Sequence, residues 1–314
     1  MKLRRSLSAL GVAVVGALTL TACGGEATTP DPAETTAGGD VTVTVVTPYL
    51  ANAATKEVID LFTAEGEERG WEVSVVDTAG DMNKLNSAFQ DAAAQQPDAI
   101  VLGTGDPTQI SLGLKAAADA EVPVFAIDAG EAEGFAANVT SDNADLGDQS
   151  AKALIEAMGG EGQVVMMTHD PHPGVRARAE GARQAFEAAG ITVLEEKHVN
   201  VPGPVDDART SVQDILSARG GEVTGIWGGW DEPALGATQA LEAAGVDGVP
   251  VVGVDGQDFA LAAIEEGGPF VATVKQDWPA IAAKVAELVE DQVTNGTAPD
   301  QKNYELPGTL ITAD

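Results

Sequence analysis

The chain is short of the groups that build covalent frameworks or bind polyanions. One cysteine, Cys23, stands among 314 residues, so no disulfide can form within the chain. Aromatic residues make up 4% of the sequence, which makes each of the four tryptophans informative. Only 17 lysines and arginines stand against 49 aspartates and glutamates, a formal net charge of -32. Nucleic-acid binding needs clustered cations that neutralise phosphates, and this balance argues against it. The same field disfavours anionic ligands unless a local cation overrules it. Histidine is scarce as well, with only His169, His172 and His198. Pro171 and Pro173 keep the "HDPH" segment from being helical, and no acid–histidine cluster of zinc spacing accompanies it, so no metal is expected. There is no GxxxxGK[ST] loop, no GxSxG elbow and no HExxH helix, and "GTGDPT" at 103–108 lacks the third glycine of a dinucleotide fingerprint. No cofactor is expected. Strand-end carboxylates could serve a surface hydrolase as acid and base, but no nucleophile–base set supports an enzyme.

The first forty residues carry a different message. Lys2, Arg4 and Arg5 precede the apolar run "ALGVAVVGALTL", which is too short to span a bilayer comfortably and is flanked like an export signal. The tetrapeptide "LTAC" that follows resembles a bacterial lipobox, where the signal is cut before the cysteine and the thiol receives a diacylglycerol. Residues 1–22 are read as a lipoprotein signal peptide and Cys23 as the lipidation site, which anchors the exported protein on the outer face of the cytoplasmic membrane. Residues 23–40, rich in Gly, Thr, Pro and acid and without apolar periodicity, read as a flexible tether.

From Val41 onward, short β-branched runs alternate with alanine-rich helical stretches. Strands are expected at 41–46, 71–76, 99–103, 122–128, 163–168, 191–196, 223–228, 249–255 and 270–276. Gly70, Gly190 and Gly245 stand where the intervening helices should end. Continuous apolar strands with helices between them imply parallel sheets covered on both faces, the α/β class. Four runs precede "SDNADLG" at 141–147 and five follow it. Two doubly wound domains are the natural reading, and one nine-stranded sheet the less natural one. Ligands of such folds bind beyond the carboxyl ends of the strands. The side chains at those ends include Asp128, Asp255, Gln276 and Trp230, with Arg176 in the helix after strand 163–168. Carboxylates and an amide pair with hydroxyls, a guanidinium donates a fork, and an indole covers C–H surface, so the set suits a polyhydroxylated ligand. Arg176 lies at a helix start, where the dipole disfavours a cation, which points to an acidic partner or a ligand.

At these positions the chain resembles the ribose-binding-protein type of solute-binding proteins, the receptors of ABC importers for sugars. The carriers are "VPVFAID", "SDN", "GVRARAEGARQAF", "WDEPALGATQALEAAG", "VVGVDG" and "VATVKQ". The resemblance implies the type I periplasmic binding protein fold, with two lobes joined by hinge strands near 141–143, 276–278 and 304–306. It implies an N-terminal lobe of 41–141 plus 277–304 and a C-terminal lobe of 142–276 plus 305–314. It further implies a monomeric receptor that closes on a neutral sugar or polyol and delivers it to an ABC permease. Ligand-binding positions implied by the match are Asn52, Asp128, Arg176, Asp255 and Gln276, with Trp230 at a ligand-facing position past the strand end. Tyr49, Thr104, Phe135 and Trp278 are pocket neighbours, whereas Trp227 falls where the family has a buried aromatic. The chain also departs from the pattern. Ala54 and Thr55 replace the paired phenylalanines that sandwich a pyranose, Ala129 replaces an arginine, and Gly103 and Trp230 replace asparagines. These changes point away from ribose and move the stacking surface to the opposite lobe. A receptor that hands its ligand to a membrane sensor instead of a permease fits the same residues.

Overall fold

The computed structural model describes residues 41–313; the signal, Cys23 and tether expectations lie outside these residues. The first lobe opens with β1 (Thr42–Thr47), α1 (Ala53–Glu68), β2 (Glu72–Asp77), α2 (Met82–Gln95), β3 (Ala99–Gly103), α3 (Ser111–Asp119), β4 (Val124–Ile127) and β5 (Ala137–Ser141). The chain then crosses to the second lobe, through α4 (Asn143–Ala157), β6 (Gln163–Thr168), α5 (Pro173–Ala189), β7 (Thr192–His198), α6 (Pro204–Arg219), β8 (Gly225–Gly228), α7 (Asp231–Ala244), β9 (Val251–Asp255), α8 (Asp258–Glu266) and β10 (Phe270–Lys275). It returns for α9 (Trp278–Val293) and β11 (Asn303–Leu306), and ends in the second lobe with β12 (Thr309–Thr312).

Each lobe is one six-stranded sheet, in the spatial orders β11-β5-β4-β3-β1-β2 and β12-β10-β9-β8-β6-β7. The two orders match, with the first and third strands of each lobe adjacent at the centre. That is the switch point of a doubly wound sheet, where neighbouring strands lead to helices on opposite faces. Every pairing is parallel except β12, which runs antiparallel to β10. Alternation along β3 explains the layering. Ala99 and Val101 face α1 and α9 in one buried cluster, while Ile100 and Leu102 face α2 and the Ile110 segment in another. The second lobe repeats this arrangement, with α4 and α5 over one face and α6, α7 and α8 over the other.

Three strands lie outside the nine expected runs: β5, β11 and β12. β5, "ANVTS", is polar in composition yet fully buried. Asn138 makes this possible by donating to the carbonyl of Ala129 and to Asn303 Oδ1, both at 2.8 Å, so its amide is satisfied without water. β11 and β12 are four residues each and largely open to solvent, so they carry little apolar signal. Their placement also moves the third crossing. β11 stays in the first sheet through Leu306, and the chain changes lobes at 307–308 rather than between 304 and 305. Gly308 is required there, because a Cβ would lie 2.2 Å from Leu146 and 2.9 Å from Val274.

Candidate functional site

The carboxyl ends of both sheets face one cleft that is partly open to solvent. The first lobe lines it with Tyr49, Asn52, Ala54, Thr55, Thr104, Asp128 and Trp278, the second with His169, His172, Val175, Arg178, Val201, Trp230 and Asp255. Three of these residues, Thr104 (φ 54°), Asp128 (φ 45°) and Asp255 (φ 126°), hold backbone conformations that L-residues rarely adopt. Strain of this kind costs of order 1–3 kcal/mol each and collects where side chains must be aimed at a site.

The floor is a chain of buried charges. Arg178, 2% exposed, donates through Nε to Asn143 Oδ1 at 2.7 Å and through Nη1 to Asp255 Oδ1 and the Gly229 carbonyl, both at 3.1 Å. Its Nη2 stands 3.7 Å from Asp128 Oδ2. Asp128 also accepts from Thr140 Oγ1 at 2.7 Å and Asn143 Nδ2 at 3.2 Å. Burial opposes its charge, but the neighbouring His172 and Arg178 and these hydrogen bonds hold it below the usual carboxylate range. Asp255 behaves in the opposite way. Burial pushes it up to about 7, against the pull of Arg178 and the hydrogen bond from Gln276 Nε2 at 2.8 Å. Behind it Asp231, fully buried, is raised by burial and by Asp255, and accepts from Thr273 Oγ1 at 2.7 Å and the Gln257 amide at 2.8 Å.

The histidines form part of the wall. His169 Nδ1 lies 2.9 Å from the Val199 carbonyl, which only accepts, so the proton sits on Nδ1 and Nε2 accepts from the Tyr49 hydroxyl at 3.3 Å. His172 Nδ1 accepts from the Val175 amide, capping α5, so Nε2 carries the proton and faces Asp128 Oδ2 at 3.8 Å. Burial drives His172 down to about 4 and also lowers His169, so both rings are neutral at pH 7. Burial raises the Tyr49 hydroxyl to about 12, and it stays protonated.

The named residues sort as follows. Asn52, Asp128, Trp230 and Asp255 line the cleft, as do Tyr49, Thr104 and Trp278. Gln276 is wholly buried and supports Asp255 from outside the lining. Phe135 packs into the first lobe's core beside Phe89 and Ile110, away from the cleft. Trp227 is buried in the second lobe and donates to Ser150 Oγ at 2.9 Å. The arginine requires a correction. Arg176 points out of the cleft lining and pairs with Asp106 at 2.9 Å and with the Asp170 carbonyl. Arg178, two residues later, lines the floor. Helical phase explains the difference: Val175, Arg178, Ala179, Ala182, Ala185 and Phe186 form the buried stripe of α5, and Arg176 lies off it. Close packing then fixes the helix. A Cβ on Gly147 of α4 would sit 1.9 Å from the Arg178 carbonyl oxygen.

Asn143, His169 and His172 are also site residues that the residue-type reading did not reach. The wall role of the "HDPH" histidines depends on the fold, which brings His169 to the Tyr49 hydroxyl and His172 to Asp128. Among the described residues no cluster of three metal-ligating side chains occurs. Each lobe contributes one indole to the cleft, Trp278 and Trp230, so the stacking surface is not confined to the second lobe. Trp278 is 2% exposed, and its indole N–H has no hydrogen-bond partner among the described residues.

This geometry has close counterparts among known proteins. The ribose import binding protein of Bacillus subtilis (strain 168) is 29% identical over 254 residues, 79% of each chain. A xylitol-binding protein of Mycolicibacterium smegmatis (strain ATCC 700084 / mc(2)155) is 27% identical over 281 residues, 88% of this chain and 77% of that one. The crystal structure of an ABC transporter solute binding protein from Agrobacterium vitis, with bound allitol, superposes with a TM-score of 0.81 at 29% identity, covering 88% of this chain and 96% of that one. All three are binding proteins, not enzymes, and the ribose and Agrobacterium vitis proteins serve import or ABC transport. The periplasmic binding protein domain model matches residues 43–297, most of the folded chain, and the protein belongs to that family.

Proposed function

We propose that the chain is an exported receptor that captures a neutral sugar or polyol between its lobes and delivers it to an ABC permease, held at the membrane by a lipid on Cys23. The observation that carries the ligand class is the buried Asp128–Arg178–Asp255 floor. The guanidinium already faces two carboxylates, so it offers no unbalanced positive charge to an anion. Its remaining donor capacity and the carboxylate lone pairs suit hydroxyl groups, which both give and accept. The unpartnered indole N–H of Trp278 supplies another donor, and the face of Trp230 supplies apolar cover for C–H surface.

Closure follows from the distribution of these groups. Asp128 and Trp278 belong to the first lobe, Arg178, Asp255 and Trp230 to the second, and only a closed cleft lets one ligand reach both sets. A hydrogen bond to a charged group contributes about 1.5–3 kcal/mol. A few of these, less the cost of ordering ligand and lobes, leave roughly micromolar binding. The ligands in the relatives' names, ribose, xylitol and allitol, are all uncharged and polyhydroxylated, which supports the same class here. The small side chains of Ala54 and Thr55 on the cleft wall, where the ribose type carries aromatic rings, support a ligand other than ribose. A thermal-shift screen of neutral sugars and polyols, with amino acids and sugar phosphates as controls, tests the reading. A hundredfold excess over Kd stabilises by about 2.7 kcal/mol. Stabilisation only by amino acids or phosphates contradicts it.

A further inference from the structure

Glu232 lies outside the lining of the cleft, yet it joins its two sides. It stands in the first turn of α7, in the second lobe. Its Oε2 accepts from Asn52 Nδ2 of the first lobe at 2.6 Å and from the indole N–H of Trp230 at 3.0 Å. Its Oε1 accepts from the amide of Ala53, the first residue of α1, at 3.3 Å. One carboxylate thus completes the N-terminus of a helix in the opposite lobe, where free N–H groups and the helix dipole favour negative charge. It also takes up one amide N–H of Asn52 and the indole N–H of Trp230, both residues that line the cleft. Asn52 uses Oδ1 to cap its own helix through the Thr55 amide at 3.0 Å and Nδ2 to reach Glu232. Trp230 gives its only donor to Glu232, which leaves its ring face as the part it can offer a ligand.

We infer that Glu232 is a positioning residue that latches the closed cleft and holds Trp230 in place, so that ligand affinity is set in part by a side chain the ligand does not touch. The inference rests on the receptor reading for its consequence but not for its geometry. Besides the contacts of Arg178 and Asn143 with Asp128 on the floor, other bridges span the cleft: Arg176 to Asp106 and Gln257 Nε2 to Glu57 Oε2, each at 2.9 Å, and the Tyr49 hydroxyl to His169 Nε2 at 3.3 Å. Each of these three is a single contact. Arg176 is 44% exposed, and an ion pair that open to water contributes little. Glu232 differs in making three charge-assisted bonds at once, one of them to a helix terminus.

The test uses the full chain without any ligand. Asn52→Asp keeps a good helix cap, because aspartate accepts from the same backbone amide, but sets a second carboxylate against Glu232. Glu232→Gln keeps one acceptor oxygen and turns the other into a donor. The double variant Asn52→Asp with Glu232→Gln reverses the pair, amide facing carboxylate again. Small-angle scattering of the four proteins reads the open–closed ratio. The latch predicts that Asn52→Asp shifts this ratio toward open about tenfold or more, equivalent to 1.4 kcal/mol, and that the double variant returns toward wild type. It also predicts faster hydrogen exchange at the Ala53 amide in Asn52→Asp and Glu232→Gln, with unchanged exchange deep in β3 and β9. Identical scattering for wild type and Asn52→Asp overturns the inference, as does a double variant as open as Asn52→Asp alone. Failure of every neutral sugar and polyol to bind would sink the receptor reading instead, since scattering without ligand is indifferent to it.

Discussion

The first lobe meets the cleft mainly with small or uncharged side chains, Ala54, Thr55, Thr104 and Tyr49, and with one carboxylate, Asp128. The second meets it with Arg178, Asp255, two neutral imidazoles and Trp230. The polar groups of the second lobe are bonded to one another before any ligand arrives, through Arg178 to Asp255 and Asn143, and from Gln276 to Asp255. One wall gives shape, and the other gives a pre-ordered hydrogen-bonding surface that needs little reorganisation to accept hydroxyls.

The sharpest break in this contrast is Arg178→Ala. It leaves Asp128 and Asp255 buried without their cation, a loss on the order of 3–5 kcal/mol in stability, with ligand binding reduced at least a hundredfold. Calorimetric unfolding and titration measure the two. Arg178→Lys sharpens the result, since it restores charge without the fork and should recover stability more than binding. Next in size is Gly147→Val, which drives a side chain into the Arg178 backbone. It should cost about 1–3 kcal/mol in denaturant unfolding and weaken binding without touching the cleft.

How these predictions arise also shows what the sequence made legible. Seven of the nine expected runs become interior strands, because largely buried parallel strands read as continuous hydrophobic stretches, while 71–76 and 191–196 become the more exposed edge strands β2 and β7. β5 escapes that signal because its burial depends on Asn138 finding partners in Ala129 and in Asn303, 165 residues away. Asp128 and Asp255 are legible from their place at strand ends. The choice of Arg176 over Arg178 follows from matching positions along a motif; the apolar phase of the same helix, running through Val175, Ala179 and Ala182, selects Arg178. The Glu232 latch has no local signature, since its partners in the first lobe, Asn52 and Ala53, lie about 180 residues earlier.

A smaller effect separates the two walls by pH. His172, depressed to about 4 by burial, takes a proton more readily unfolded than folded, so its contribution to stability is lost as pH falls from 6.5 toward 4. Asp255, raised to about 7, holds its proton more tightly when folded, so its contribution is lost as pH rises from about 4 toward 7. The two oppose each other over pH 4–6.5. His172→Gln removes the first, and its melting temperature at pH 4.5 relative to pH 6.5 should rise compared with wild type. An unchanged difference would mean that His172 titrates normally in the fold.

The smallest expected effect is Arg176→Ala. In its pair with the buried Asp106 the guanidinium is open to water and contributes no more than about 1 kcal/mol, so affinity should change by less than about fivefold in a titration. A large loss would return Arg176 to the ligand and weaken the distinction between the two arginines.

The most direct measurement is a crystal structure with a polyol or sugar that stabilises the protein in the thermal screen. The account predicts one ligand between the lobes, with hydroxyl oxygens within hydrogen-bond distance of Asp128, Arg178 and Asp255 and its C–H face on Trp230. A ligand seated elsewhere, or one that leaves the Asp128–Arg178–Asp255 floor untouched, would contradict it.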